Sequence, residues 1–228
     1  MQTDELENRL VEYLATIDTP TLSNAVELLK VRPRADGFAP LGIRCLFPEF
    51  GRLCGYAVTA QVETMTTSHP KREEAFIELF EAVDRSPKPA VVVMQEVGPH
   101  PDSAAHCGEV LATIFSRLGA VGLVSDCAVR DIPEVRALRF SYFARGAAAS
   151  HANFRIVRVG VPVHVLGLTV QAQDLLHGDE NGLITVPEAT LEALQQAVTT
   201  VRTHERTLME FVRAPGFTVD QLRGRFLH

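Results

Sequence analysis

Two short segments hold side chains and backbone that together could handle an organic acid. Gly108-Glu109-Val110-Leu111 opens a helical pattern, and Val129-Arg130-Asp131-Ile132-Pro133-Glu134 sits just past a valine-rich run from Ala120 to Ser125. A helix start presents N–H groups with no intrahelical acceptor, and the helix dipole adds positive potential there. The amides around Gly108 to Leu111 therefore suit a carboxylate. The Arg130 guanidinium can bind a planar carboxylate with a two-pronged fork. Asp131 offers hard oxygen donors to a divalent cation, and Glu134 lies three residues further on. These are parts for binding a 2-oxo acid and stabilising its enolate. Plainer readings exist. Arg130-Asp131 alone reads as a surface ion pair in a turn, and Glu109 as a first-turn acid that complements the helix dipole.

The elements that must position these groups are legible in outline. Residues 4–16 read as a surface helix with Leu6, Leu10, Val11 and Leu14 on one face. Thr19-Pro20 reads as an N-cap followed by proline, starting a helix with Leu22, Val26 and Leu29 at helical spacing that ends before Pro33. Tyr56 to Val62 reads as a strand, Glu73 to Val83 as a helix, and Ala90 to Met94 as a strand buried on both faces. The helix from Glu109 is expected to turn Val110, Leu111, Ile114, Phe115 and Leu118 inward, with Gly119 and Gly122 at its exit. Leu138 to Phe143 is a candidate strand. Val157, Val159, Val161, Val163 and Val165 alternate with other residues at period 2, although Pro162 argues for an edge or a bend. Asp179 to Gly182 reads as a turn before a strand at Leu183 to Val186. A last helical region after Pro187 carries Leu191, Leu194, Val198, Val201, Leu208 and Val212. Helices mixed with many short strands, without strict βαβα repetition, predict one α/β or α+β domain on layered sheets rather than a doubly wound sheet.

Composition narrows the classes. The chain has 228 residues, 46% of them hydrophobic, which is enough for a sizeable core and argues against disorder. Its net charge is −6, with no basic stripe, so a nucleic-acid partner is not expected. No basic–apolar leader is seen after Met1, and no apolar run approaches the roughly 20 residues that span a bilayer, so no membrane partner is expected and a cytoplasmic location is. Cys45, Cys54, Cys107 and Cys127 form no C-x-x-C pair and read as reduced, small buried hydrophobes. His151, His164 and His177 have no metal-ligand spacing and read as unrelated surface or core residues. His106, beside the glycine start, could contact a ligand but reads first as a residue leading into the helix; Ser150-His151 lacks a nucleophile elbow, and no glycine-rich nucleotide fingerprint follows a strand.

Several stretches, taken in order, resemble a known family. They are Thr21-Leu22-Ser23-Asn24-Ala25, Gly55-Tyr56-Ala57-Val58-Thr59, Gly108-Glu109-Val110-Leu111-Ala112, then Gly119, Gly122, Val124 and Val129-Arg130-Asp131. Asp174, Asp179-x-x-Gly182 and Val186-Pro187 follow. Over about residues 15–215 the chain is similar to RraA-like proteins, which include the class II 4-hydroxy-4-methyl-2-oxoglutarate aldolases. The resemblance implies a layered α-β-β-α sandwich of the swivelling β/β/α type. It implies a single domain with a core at about residues 15–187 and a C-terminal helical extension at about 188–228. It also implies a homotrimer or hexamer with its site between subunits.

The roles implied at matching positions are as follows. The amides of Gly108, Glu109, Val110 and Leu111 cradle the substrate, and Arg130 binds its pyruvyl moiety. Asp131 holds Mg²⁺ or Mn²⁺ largely through waters, with Glu134 orienting those waters. Glu109 accepts a proton through water, and Glu205 is the match for a glutamate that a neighbouring subunit supplies. The implied activity is metal-dependent cleavage of a 4-hydroxy-2-oxo dicarboxylic acid to pyruvate, with oxaloacetate decarboxylation beside it. Lys30, Lys71 and Lys88 lie away from these segments, and no Schiff base is required. The alternative is a non-catalytic regulator of the kind that inhibits a ribonuclease by protein contact. Three positions depart from the family pattern. Cys127 stands where a glycine is usual, Gln171-Ala172-Gln173-Asp174 replaces an Arg/Val-Pro-Gly-Asp turn, and Asn24 replaces an aspartate.

Overall fold

The computed structural model describes residues 9–65, 73–100 and 102–226. The first expected helix is seen as α1 over residues 9–14, with Val11 and Leu14 buried; Leu6 lies outside the described residues. Helix α2 spans Thr19–Leu28. Its N-cap is Asp18 rather than Thr19: the Asp18 carboxylate accepts the Thr21 N–H at 2.9 Å. The Thr19 N–H is drawn away to Asp179 Oδ2 at 2.8 Å.

Strand β1 (Arg44–Cys45) precedes the long β2 (Leu53–Met65), helix α3 (Glu73–Arg85) and β3 (Ala90–Glu96). Helix α4 (Glu109–Arg117), β4 (Ala120–Ser125), β5 (Ala128–Val129) and α5 (Ile132–Ala137) follow. Next come β6 (Ser141–Ala144), β7 (Gly146–Ala147), β8 (Asn153–Val159), β9 (Val163–Val165) and β10 (Leu168–Val170). The hairpin of β11 (Leu175–Asp179) and β12 (Gly182–Val186) leads to α6 (Leu191–Arg213) and α7 (Val219–Phe226).

The main sheet has 8 strands in the order β1-β6-β4-β3-β2-β11-β12, with β8 also paired to β2. Strands β2, β3, β4 and β6 run parallel, which requires crossovers, and α3, α4 and α5 supply them. Strand β2 is long enough to serve two antiparallel neighbours along one edge, β11 against its first residues and β8 against its last.

Strand β3 shows why both faces of this sheet must be covered. Ala90, Val92 and Met94 enter one core with Leu79 and Val83 of α3 and Ala112 and Phe115 of α4. Val91 and Val93 enter a second core with Val163, Val165, Leu168 and Val170 of the β9–β10 ribbon. Successive strand residues point to opposite faces, so a continuous apolar run fits only a strand covered on both sides. A third core packs Leu22, Ala25 and Val26 of α2 and Leu194, Ala197 and Val198 of α6 on the β11–β12 hairpin. Each fully buried Val, Leu or Phe side chain stabilises the fold by about 1.5–3 kcal/mol. The result is the expected layered α/β arrangement, helices outside and strands between.

Three local expectations are corrected. Val110 is 73% exposed rather than inward; Phe115 is buried as expected, with Leu111 and Leu118 packed against the same core, and Ala112 joins it. The candidate strand from Leu138 begins only at Ser141, because Ile132–Ala137 forms α5 and Arg139 adopts φ 55° at its end. The valine alternation is one pattern but two strands: Gly160 turns with φ 71°, β8 stays in the main sheet, and β9 joins β10.

Candidate functional site

The carboxyl ends of β3 and β4 point at one crevice, the usual place for a ligand in a parallel sheet. Three backbone bonds lace the chain there. Ala128 N–H donates to Ala104 O at 3.2 Å, His106 N–H to Ala128 O at 2.9 Å, and Arg130 N–H to Cys107 O at 2.9 Å. This lacing sets the Arg130-Asp131 turn against the first turn of α4.

Gly108 is the N-cap of α4, and the first intrahelical bond runs from Ala112 N–H to Gly108 O at 3.0 Å. The N–H groups of Glu109, Val110 and Leu111 therefore precede the helical ladder. Asp131 takes one of them: Glu109 N–H donates to Asp131 Oδ2 at 2.9 Å. Asp131 reaches it because its backbone is left-handed, φ 56° and ψ 47°, a conformation that Asp tolerates better than most residues. The Arg130 Nε lies 3.6 Å from the same oxygen, and both side chains are about one-third exposed, at 36% and 35%. Gly108 makes room for them: a Cβ there would lie 2.4 Å from Asp131 Oδ2 and 3.0 Å from Arg130 Nε.

These groups line a cavity of about 310 Å³ whose wall includes Gly108, Val110, Leu111, Arg130 and Asp131. The structure thus brings Gly108, the Glu109 amide, Val110, Leu111, Arg130 and Asp131 together. It places Glu134 exposed in the first turn of α5 and the Glu109 side chain in solvent, both outside the cavity wall. Glu205 is elsewhere in the chain, exposed on α6, where it accepts a hydrogen bond from Asn24 Nδ2 at 3.2 Å. That bond gives the asparagine a reason: an aspartate at position 24 would repel Glu205.

The oxygen set fits a hard divalent cation only in part. Asp131 Oδ2 is engaged, and Oδ1 accepts no hydrogen bond from the described residues. The three-donor group found among the described residues does not include Asp131 or Glu134, so water must complete any shell at Asp131.

Residues outside the expected set complete the surroundings. His151, Phe76 and Phe154 line the cavity. His151 offered no periodic signal; the left-handed Ala152 beside it, φ 45°, is visible only in the fold. His106 is fully buried behind the α4 start, its Nε2 2.9 Å from Glu96 Oε2 and its Nδ1 3.0 Å from Ser125 Oγ. Burial alone would depress its pKa, but hydrogen bonds to Cys127 and Glu96 raise it to about 9. Burial opposes ionisation of Glu96 as well, yet hydrogen bonds from His106 and Thr64 hold its pKa below the ordinary value. Burial lifts Asp126 to about 6, although the Glu96 N–H donates to it. Cys127 is fully buried and is not among the residues that line the cavity. His164 and His177 stand apart, the first exposed beside Thr169 and the second buried beneath α2.

A Legionella pneumophila protein, DlpA, is 22% identical over all of this chain and 35% of its own length. A Halalkalibacterium halodurans protein whose name makes it a candidate 4-hydroxy-4-methyl-2-oxoglutarate aldolase is 32% identical over 40% of this chain and 44% of its own length. The chain thus spans less than half the length of either curated relative. The solved structure of Streptomyces coelicolor RraAS2, described as an unusual member of the RNase ES inhibitor RraA protein family, superimposes with a TM-score of 0.66. It is 26% identical, over 90% of this chain and 96% of that one. Residues 19–185, most of the sequence, match the RraA-like (Aldolase/RraA) profile, and the chain belongs to that family.

Proposed function

We propose that this protein is a divalent-metal-dependent carbon–carbon lyase that cleaves a 4-hydroxy-2-oxo dicarboxylic acid to pyruvate and also decarboxylates oxaloacetate. The observation that carries the reading is the contact of the Arg130-Asp131 turn with the α4 N-terminus, where guanidinium, carboxylate and unpaired amides face one cavity.

Asp131, with Glu134 acting through water, holds Mg²⁺ or Mn²⁺ in this reading. When bound, the cation supplies Lewis-acid polarisation of the 2-oxo carbonyl and neutralises charge that develops on it. The chain's own groups do the rest. The amides of Val110 and Leu111, left over at the helix start, receive the substrate carboxylate. Arg130 pairs with the 2-oxo acid through its fork and stabilises negative charge that grows on the carbonyl oxygen. Water removes the C4 hydroxyl proton and passes it on, with Glu109, exposed on the first turn of α4, as the proposed acceptor. The C4 carbonyl forms as the C3–C4 bond breaks, and the electron pair passes into a pyruvate enolate. Protonation at C3 then releases pyruvate. Oxaloacetate reaches the same enolate by losing CO₂. The reading also takes Glu205 from another copy of the chain in a trimer or hexamer; within one chain Glu205 lies beside Asn24.

The test is pyruvate release from oxaloacetate with Mg²⁺ or Mn²⁺, then with chelator. Activity abolished by chelator and restored by the ion is expected; undiminished turnover overturns the metal role. Arg130→Ala removes charge-assisted hydrogen bonds of about 1.5–3 kcal/mol. At least a roughly tenfold loss in kcat/KM is expected. An unchanged value identifies the wrong arginine. The regulator reading has the likeness to RraAS2 behind it. A chain inactive on these acids with every metal tested, yet binding ribonuclease assembly proteins, would favour that reading.

A further inference from the structure

Behind the cavity wall lies a second, chemically different cluster. Glu96 ends β3, His106 sits in the laced segment before α4, and Cys127 follows β4. One ligand atom from each lies within 4.8 Å of the others, and all three residues are buried. We propose that Glu96, His106 and Cys127 form a three-donor site for a thiophilic divalent cation of the zinc class, its fourth position taken by water, separate from the oxygen donors at Asp131.

The donor set carries the argument. A thiolate, an imidazole and a carboxylate on one centre match Zn²⁺, whereas Mg²⁺ and Mn²⁺ prefer all-oxygen shells. Metal–ligand distances of about 2.0–2.3 Å place donors roughly 3–4 Å apart around a tetrahedral ion. The cluster is already near that spacing, with His106 Nε2 2.9 Å from Glu96 Oε2. The supporting hydrogen bonds are those a metal site needs. Ser125 Oγ lies 3.0 Å from His106 Nδ1, which leaves Nε2 to face the centre, and the same Oγ accepts the Cys127 N–H at 3.0 Å. Glu96 Oε1 accepts the N–H groups of Thr64 at 2.8 Å and Gly98 at 2.7 Å, and Oε2 accepts the Thr64 hydroxyl while facing the histidine, which together fix the carboxylate. Such outer bonds orient ligands.

In the metal-free chain a proton bridges His106 to Glu96, and the Cys127 thiol donates to Ala104 O at 2.8 Å. The ion displaces both protons. His106, although fully buried, borders the cavity of about 310 Å³, so the cluster lies directly behind that wall. Cys127 is the residue standing where the family pattern has glycine, so the sulfur donor belongs to this chain and not to the pattern it resembles. An ion here would pin the segment leading to Gly108 against the one leading to Arg130.

The test uses the full chain, stripped with chelator and titrated with Co²⁺. A sulfur-to-cobalt charge-transfer band that saturates at one equivalent, yields to Zn²⁺ and survives excess Mg²⁺ is expected. Cys127→Ser should abolish the band and weaken Zn²⁺ binding by more than about 100-fold, beyond the usual effect of outer-shell changes. Asp131→Asn should retain both. Absence of the band in the unsubstituted protein overturns the site whatever the variants do. So does a band that persists in Cys127→Ser or disappears in Asp131→Asn.

Discussion

Gly108→Ala separates positioning from folding at the cavity. The Gly108 backbone, φ −136° and ψ −168°, is extended and open to any residue, so alanine adds no backbone strain. Its Cβ, however, would lie 2.4 Å from Asp131 Oδ2 and 3.0 Å from Arg130 Nε. Ordinary carbon contacts start near 3.5 Å, so the carboxylate must retreat by about 1 Å. That breaks its 2.9 Å bond from the Glu109 amide and displaces the guanidinium. A charge-assisted hydrogen bond contributes about 1.5–3 kcal/mol, which corresponds to a loss of roughly tenfold to 150-fold in kcat/KM. Stability should change by under about 1 kcal/mol, because Asp131 is partly exposed and water can replace the lost contact. The assay is metal-dependent pyruvate formation from oxaloacetate, paired with urea unfolding. A folded variant with unchanged kcat/KM would refute the argument that this turn positions the reacting groups.

Other expected outcomes concern the scaffold. Burial holds the His177 pKa below its ordinary value, and its Nε2 lies 3.1 Å from Leu14 O. The folded state therefore binds this proton less tightly than the unfolded state, and the associated stability is full above about pH 6.5 and declines as pH falls below it. His177→Gln should flatten that part of a pH series of urea midpoints; an unchanged slope would sink the assignment. Asp18→Ala removes the α2 cap and should cost about 1 kcal/mol, read as a lower urea midpoint at constant m-value. Gln173 holds φ 72°, a left-handed backbone that glycine adopts most readily. Gln173→Gly should relieve a left-handed penalty of about 1–2 kcal/mol, partly offset by glycine's greater unfolded-state entropy. A net gain of about 0.5 kcal/mol in urea unfolding is expected, and a loss would show that the side chain contributes more than its backbone costs.

The sequence alone revealed what local chemistry controls. The helical spacing of apolar residues in α2, α3 and α6 follows from 3.6 residues per turn. The double-sided burial of β3 follows from an uninterrupted Ala-Val-Val-Val-Met run. The start of α4 at Gly108 and the turn chemistry of Asp179 to Gly182 were readable for the same reason. Even Asp174 keeps its turn without the usual glycine, accepting the Gln171 N–H at 2.8 Å.

Tertiary structure decided what depends on distant segments meeting. The inward face of α4 takes Ala112 beside the expected Phe115 because of how the helix seats on the sheet, and that leaves Val110 outside at the cavity. One valine alternation became strands of two sheets because Gly160 and Pro162 end the pairing with β2. The contact between the Glu109 amide and Asp131 joins residues 22 apart, and it exists only through the lacing of the Ala104–Cys107 stretch to the Ala128–Arg130 stretch. Glu96, His106 and Cys127 come from three segments with no common spacing, so periodicity carried no trace of their cluster. Backbone periodicity is written along the chain; the convergence of buried polar groups is set by which strand ends face the same crevice, and that is a property of the folded sheet.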